Sequence, residues 1–383
     1  MCKVSGWGDM RMGISGICLG VATTVVPRRR LQARGMIDRP SLYYCRMAHF
    51  AAQWGATLIL FNPEHVRWSR NIVEAWSPAD LRHPYGNWQK ARQRLPDIIY
   101  ENVFVHLAVQ GYAHELRQQA AIRGIPLFNP GLPNKWRTSL WLSNSEVSHF
   151  IPPAVKMAHG IGSIRRIRKW GTAYLKPVGG YGGMGVTRIE TLPKGQYRLA
   201  TDRARSGNRW RRVVGESQLQ TWLDTHDGHF MLQQGLPLLT LNGRKVDFRV
   251  VVQRGVEGQW HRVGIVPKIA AVDGVVTNLV AGGERLSLEQ CLVLAAREGK
   301  SIPIEELTTA ALQIAQVISR RYPMTGLLGY DMGITEDGGI WMIETNPKPA
   351  RSLLTDEMRR QSALYSAGFS VYLARKATVR ARA

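Results

Sequence analysis

Two carboxylates and an amide set the first chemical question. In GYDMGITEDGGIWMIETNPKPAR, residues 329 to 351, TEDGG can reverse the chain and leave YDMGI and IWMIETN as antiparallel partners. Asp331, Glu344 and Asn346 then bring same-face oxygens to one end of the hairpin. A few hard oxygen ligands, completed by phosphates and water, are the usual way of binding Mg²⁺. Hairpin ends often carry acids without such a role, but the apolar setting GIWMI would bury these without partners. The expectation is a metal site whose remaining ligands are nucleotide phosphates.

Three further clusters could take part. YLKPVGGYGGMGV places Lys176 ahead of Gly179, Gly180, Gly182, Gly183 and Gly185. Glycines allow positive φ and close backbone approach, so successive N–H groups can cradle phosphate oxygens beside a lysine. The lysine precedes the glycines, which excludes a P-loop, and the β-type VTRIE that follows excludes a dinucleotide-binding turn opening a helix. Plain turn chemistry and a phosphate-covering loop are both open readings, and Lys176 favours the second. In KVDFRVVVQRG, period two puts Asp247 and Arg249 on one face, as a structural ion pair or as part of a site. VTNLVAGGE, with Asn278 ahead of two glycines, is compatible with an anion-binding turn. His226 and His229 read as surface residues.

These clusters need elements to hold them. ATLILF (56–61) and DIIYENV (97–103) are short β-rich runs, the first after the helix-like SLYYCRMAHFAAQW and the second before AVQGYAHELRQQAAIRG. That alternation, ending in IPLFNP, predicts a parallel αβ layer over about the first 130 residues. Next come a helix at NKWRTSLWLS, the strand–glycine turn–strand TAYLKPVGGYGGMGVTRIE and long alternating strands at HFMLQQGLPLL and KVDFRVVVQRG. A helix with an acidic start from about Ile304 to Arg321 precedes the closing hairpin.

Length and composition fit this organisation. A chain of 383 residues suits two or three packed units with a cleft between them, and 44% apolar with 21% charged residues is a globular balance. No apolar run approaches the roughly 20 residues of a membrane span, so the reading is a chain without membrane association. Gly13 to Val26 has the look of a signal-peptide core but lacks a dense basic start and is followed by Arg28, Arg29 and Arg30, so a buried first strand is expected. Cys2, Cys18, Cys45 and Cys291 are scattered, which argues against a zinc site or disulfide framework and for a reducing interior. The net charge of +23 attracts polyanions. Its clusters at 165–169, 203–212 and 375–382 carry no nucleic-acid fold signature and read as solvated faces, with no specific nucleic-acid partner.

In order, Lys135, Lys176 with its glycine loop, LQQGL, DFR, TNLVAGG and D…ETN resemble the ATP-grasp superfamily over about residues 130 to 355. The preceding αβ unit resembles its usual companion domain. LPDIIYENV, NPGLPNKW, DFRVVVQRG…GQW and WMIETNPKPAR are most similar to the YheC/YheD group, described as endospore coat-associated. The resemblance implies an α/β chain with the ATP-grasp fold, two αβ subdomains clamping a nucleotide. Its divisions would be 1–130 for the companion domain, 131–228 and 229–370 for the subdomains, and 371–383 for a basic tail. It implies ATP and one or two Mg²⁺ ions, and an acylphosphate-forming carboxylate–amine ligase for small-molecule or peptide acids and amines; a nucleotide-binding spore-coat protein without ligation is the alternative. A cytoplasmic or spore-coat location follows. By position, Lys135 and Lys176 would contact ATP phosphates under the glycine loop. Gln233, Gln234 and Leu236 would meet the adenine, and Asp247 would lie near ribose or substrate. Arg249, Lys268, Asn278 and Arg351 would face the reacting acid, and Asp331, Glu344 and Asn346 would bind metal. Arginine is expected where Lys268 stands, and a lysine cannot copy a bidentate guanidinium contact.

Overall fold

Strand β1 (Ile17–Thr23) is apolar at nearly every position and buried along its whole length, as a central parallel strand must be. The computed structural model describes residues 16–24, 41–103, 108, 110–157, 161–180, 182–202, 209–226 and 228–382. Cys2, Arg28 to Arg30, the start of the Gly13–Val26 segment and residues 203–208 of the second basic cluster lie outside them. The chain divides into two units, one of residues 1–130, 254–259 and 359–383, the other of 131–253 and 260–358.

In the first unit β1 is followed by α1 (Leu42–Gln53), β2 (Ala56–Phe61), β3 (Val66–Arg67), β4 (Ile72–Pro78), β5 (Trp88–Arg94), β6 (Ile98–Asn102), α2 (Tyr112–Ile122) and β7 (Leu127–Phe128). The sheet order is β3-β4-β2-β1-β6-β7, with β5 on β4. The expected parallel layer is present as β2-β1-β6-β7, where Leu19 is registered with both Leu58 and Ile98. The antiparallel extension β3-β4-β5 had no counterpart in the sequence reading. Strand β5, WQKARQR, exposes most of its residues at the sheet edge and so lacks the apolar alternation that betrays a strand.

The second unit holds two sheets. α3 (Lys135–Leu142), β8 (Ala154–Lys156), α4 (Ile161–Trp170), β9 (Thr172–Pro177), β10 (Thr187–Leu192), β11 (Gln196–Thr201), β12 (Trp210–Gly215), α5 (Glu216–Asp224) and β13 (Phe230–Gln234) build the first. Its order is β12-β11-β10-β9-β13-β8. Ile164 and Ile167 of α4 and Leu219 and Leu223 of α5 pack on Leu175, Leu199 and Leu232. The long strand expected at HFMLQQGLPLL stops at Gln234. Gly235 passes so close to Thr172 that a Cβ there would lie 2.5 Å from its Cγ2, and Pro237 has no N–H to extend a ladder.

β14 (Thr240–Leu241), β15 (Arg244–Arg254), β16 (Trp260–Ile269), β17 (Glu284–Arg285), α6 (Leu288–Arg297), α7 (Ile304–Arg321), β18 (Leu327–Ile334) and β19 (Ile340–Asn346) build the other. The order is β17-β16-β15-β18-β19, with β14 on β15. Helix α7 has the bounds read from sequence. Glu305 and Glu306 in its first turn and Arg320 and Arg321 in its last oppose the helix dipole. Its Leu307, Ala311, Ile314 and Ile318 pack with Val250, Val252, Leu328 and Tyr330. The chain closes with α8 (Asp356–Arg382), so residues 371–382, read as a tail, continue a helix. In the first unit Phe369 of α8 meets Phe128 edge to face at 5.3 Å.

Helix α7 therefore backs the strands that carry Asp331 and Glu344. Ile314 is fully buried there, and Ile314→Ala is expected to lower unfolding free energy by about 2–5 kcal/mol. Denaturant titration followed by circular dichroism checks this.

Candidate functional site

The hairpin forms as the sequence suggests. β18 and β19 are antiparallel with Asp331 registered against Glu344, and a bulge follows between Asp331 and Met332. Asn346, two residues beyond Glu344, is registered with Gly329. A Cβ on Gly329 would lie 2.6 Å from Pro349 and 3.5 Å from Cδ of Arg249, so the glycine makes room for both.

β15 lies on the other side of β18, with Arg249 registered against Asp331. The Arg249 guanidinium grips this carboxylate with two hydrogen bonds, Nε to Oδ1 at 2.8 Å and Nη2 to Oδ2 at 3.1 Å. From β16 the Lys268 ammonium reaches the same Oδ1 at 2.8 Å and Asp247 Oδ1 at 3.0 Å. Thr277 donates from its hydroxyl to Asp247 Oδ2. Asp247, Arg249 and Lys268 are all buried, Lys268 to 2% exposure. The period-two reading of β15 is correct in placing Asp247 and Arg249 on one face, but that face is buried as well.

Burial alone would raise the Asp331 carboxyl, but Lys268 and Arg249 outweigh it and hold the group well below the usual carboxylate range. Asp247 is pushed up by burial, which Lys268 only partly offsets. Burial works against the charge on Lys268 and Arg249, yet the neighbouring carboxylates keep both above their ordinary values. Asp247 Oδ1 has the ammonium beside it but no well-directed hydrogen bond, which leaves it acceptor capacity on a cavity wall.

The remaining cations come from the other elements. Asn134 caps α3 by accepting from Arg137 N–H, which sets Lys135 in the first turn with its ammonium 3.0 Å from Glu344 Oε1. Lys176 projects from β9 and donates to Gln233 Oε1 of β13. Burial, with Lys135 adding repulsion against the attraction of Glu344, pushes the Lys176 amine down to about 8. Beyond it, Gly180, Gly182, Gly183 and Gly185 have positive φ, as a tight turn of this kind requires. A Cβ on Gly183 would lie 3.2 Å from Val276, next to Asn278. Tyr181 of this loop lies outside the described residues.

Two adjoining cavities collect these groups. The first, about 280 Å³, is lined by Lys135, Lys176, Gly179, Gly180, Gln233, Glu344 and Asn346 among others. The second, about 100 Å³, is lined by Lys176, Gly183, Gln233, Gln234, Leu236, Asp247, Lys268, Asn278, Asp331 and Glu344 among others. Lys176, Gln233 and Glu344 belong to both walls. Of the residues singled out in the sequence, Gly182, Gly185, Arg249 and Arg351 line neither cavity. Arg249 stands behind Asp331, and Arg351 opens a half-buried 3-10 turn. Thr277, Tyr174 and Lys245 were not singled out. Thr277 lay inside the quoted TNLVAGG, but its bond to Asp247 spans 30 residues and has no local signal.

The donor set fits a hard divalent cation that takes the rest of its shell from phosphate and water, since Asp331, Glu344 and Asn346 offer only oxygen. Among the described residues no group of three His, Cys, Asp or Glu could hold an ion unaided. A bound ion would compete with Arg249 and Lys268 for Asp331, and Asn346 Oδ1 already accepts from the Lys348 N–H.

The sequence pattern described as YheC/D like ATP-grasp matches residues 124–373. The chain belongs to this family. It therefore has the mixed α/β ATP-grasp fold, its second unit carrying the two sheets. Two curated relatives come from Bacillus subtilis (strain 168). Endospore coat-associated protein YheD is 25% identical over 341 residues, covering 83% of this chain and 71% of the relative. Endospore coat-associated protein YheC is 22% identical over 339 residues, covering 85% and 89%. Among solved structures, D-alanyl-alanine synthetase A from Vibrio cholerae is 13% identical with a TM-score of 0.47, covering 95% of this chain and 98% of that one. A RiPP-associated ATP-grasp ligase from Chryseobacterium gregarium, in complex with ADP and a leader and core peptide, has the same identity and TM-score and covers 93% and 96%.

Lys268→Met leaves the buried Asp247 and the partly buried Asp331 without their shared cation and is expected to cost about 3–5 kcal/mol of stability. The double variant Lys268→Met with Asp247→Leu should recover part of that loss in the same denaturant titration. A second expectation concerns pH. If Lys176 meets phosphate, its protonated form binds, so affinity for a fluorescent ATP analogue should be flat below about 8 and fall above it. The limiting slope is roughly tenfold per pH unit, and Lys176→Gln should remove the slope while weakening binding throughout.

Proposed function

We propose that the chain is an ATP- and Mg²⁺-dependent carboxylate–amine ligase acting on an amino-acid or peptide substrate. The observation that carries this reading is the convergence of Lys135, Lys176, Gln233, Asp331, Glu344 and Asn346, from five separate elements, on two cavities with a shared wall. Residues 131–228 and 229–370 act as the two lobes and 1–130 as the companion domain, except that 254–259 and 359–370 group with the companion domain. Lys135 and Lys176 hold the triphosphate while the loop from Gly179 to Gly185 covers it. Gln233, Gln234 and Leu236 meet the adenine, and Asp247 lies near ribose or substrate. Arg249, Lys268, Asn278 and Arg351 orient the acid, Arg249 by holding Asp331 in place. Asp331, Glu344 and Asn346 hold one or two Mg²⁺ ions, which would supply charge stabilisation at the phosphates.

A substrate carboxylate oxygen attacks the γ-phosphorus of ATP, breaking its bond to the bridging oxygen and releasing ADP. An amine then attacks the acylphosphate carbonyl, loses a proton and expels phosphate. Negative charge gathers at both stages, and the cations lining the cavities are placed to offset it in a site screened from water. No nucleophilic Ser, Cys or His is needed. Lys268 stands where arginine is expected and offers a point charge between two acids, while the bidentate contact of Arg249 is spent on Asp331.

A second reading, nucleotide binding without ligation in a spore-coat protein, is favoured by the cations already on Asp331. Oδ1 accepts from both Arg249 and Lys268 and Oδ2 from Arg249, so a metal ion there meets two buried positive charges and has one acceptor position left on Oδ2. Purified protein with ATP, Mg²⁺ and a panel of acids and amines is expected to release ADP and phosphate. Glu344→Gln should slow turnover on the order of a hundredfold, near 2.7 kcal/mol of barrier, with the fold intact. ATP binding with no turnover for any acceptor pair would decide for the second reading.

A further inference from the structure

Beside the nucleotide cavity lies a third one, of about 500 Å³, that the ligase reading does not use. Six cationic side chains line it: Arg188, Arg198, Arg209, Arg211, Arg244 and Lys245. Lys245 also lines the second cavity described above, so the two spaces share a wall. The basic cluster that the sequence leaves unexplained at 203–212 contributes two of the six.

The acids nearby do not balance this charge. Glu190 serves both Arg188 at 3.4 Å and Arg198 at 3.3 Å. Asp202 serves both Arg211 at 2.6 Å and Arg209 at 3.7 Å. Glu284 takes Arg244 at 2.5 Å, and Lys245 donates to the Tyr174 hydroxyl at 2.8 Å. With Asp273 also in the wall, four carboxylates face six cations among the described residues, a surplus of two positive charges in a concave space. Nε of Arg188 is buried and has no acceptor, which is uncommon for a buried donor and leaves that guanidinium short of partners.

Concave walls of one sign focus the field and concentrate anions. Guanidinium forks match carboxylates in pairs, and these arginines already hold Glu190, Asp202 and Glu284. Among the described residues the wall contains no aromatic side chain on which a base could stack. We propose that this cavity docks an acidic polypeptide segment, a run of Asp or Glu side chains, beside the nucleotide cavity. The site goes beyond the ligase reading and stands or falls without it, because docking needs neither ATP nor turnover.

The test uses the full chain, without nucleotide, and a fluorescently labelled hexaglutamate read by anisotropy at fixed physiological ionic strength. Arg198 and Arg209 are about half exposed, with side-chain exposures of 50% and 48%, so they can be changed with little effect on the core. Arg198→Glu with Arg209→Glu is expected to weaken binding at least roughly tenfold, about 1.4 kcal/mol, at an unchanged melting midpoint. The same charge reversal on the exposed face of α4, Arg165→Glu with Arg166→Glu, should leave binding nearly unaltered. Should the first variant unfold, Arg198→Gln with Arg209→Gln takes its place. Equal losses in both pairs would reduce the effect to net charge and overturn the proposal. So would absence of hexaglutamate binding, or tighter binding of a charge-matched single-stranded oligonucleotide through the same two arginines.

Discussion

Asp331 is the point through which the second unit is held together. Its carboxylate lies on β18, takes a two-pronged contact from β15 and a third from β16, and faces Glu344 on β19. Three neighbouring strands, β15, β16 and β18, are thus tied at one height by charge, not by ladder hydrogen bonds alone. Removing any one partner would strand a charge away from water, which is far costlier than the small net gain of forming the pair. That asymmetry fixes the register of the sheet. A one-residue slip of β18 would carry Asp331 to the opposite face, against the apolar core of α7, and leave Arg249 and Lys268 without it.

The same constraint shapes the cavities. Lys268 sits between Asp247 and Asp331, so the two acids are spaced by a cation instead of repelling each other. Lys135 stands against Glu344 in the same way. The anionic groups available for metal and the cationic groups available for phosphate are therefore held in mutual contact. A metal–triphosphate ligand could take up both sets at once, exchanging internal ion pairs for new ones. Such an exchange costs less desolvation than charging an apolar pocket, because the site is polar throughout.

How much of this was legible in the sequence depends on the distance over which each signal acts. The β18–β19 turn is local: TEDGG lies between two apolar runs, and the Asp331–Glu344 pairing follows from it. Helix α7 is local too, since its acidic start and basic end are written within 18 residues. The glycine turn and its flanking strands are again contiguous. By contrast, Arg249 meets Asp331 across 82 residues and Lys268 meets it across 63. Period two could say that Asp247 and Arg249 share a face but not what covers it: α7 covers the apolar face, and Lys268, Thr277 and Asp331 meet the other. Strand β5 carries polar residues on both faces and so shows no alternation, while the apolar pattern of HFMLQQGLPLL runs past Gln234, where Gly235 and Pro237 end the ladder.

Asp202 joins the two halves of the second unit in a way that no motif announces. It is buried at the end of β11, accepts from the backbone N–H groups of Val275 and Val276, and holds Arg211. The segment it grips leads directly into Thr277, which bonds Asp247, and Asn278, which lines the second cavity. One carboxylate thus connects the arginine-lined cavity to the wall of the second cavity through two backbone amides. An anion that drew Arg211 away would leave Asp202 buried with those amides and the longer contact from Arg209 at 3.7 Å to carry its charge. Through this residue the walls of the two cavities share one buried carboxylate, and part of the strong positive charge of the chain acquires a structural counterpart that composition alone did not locate.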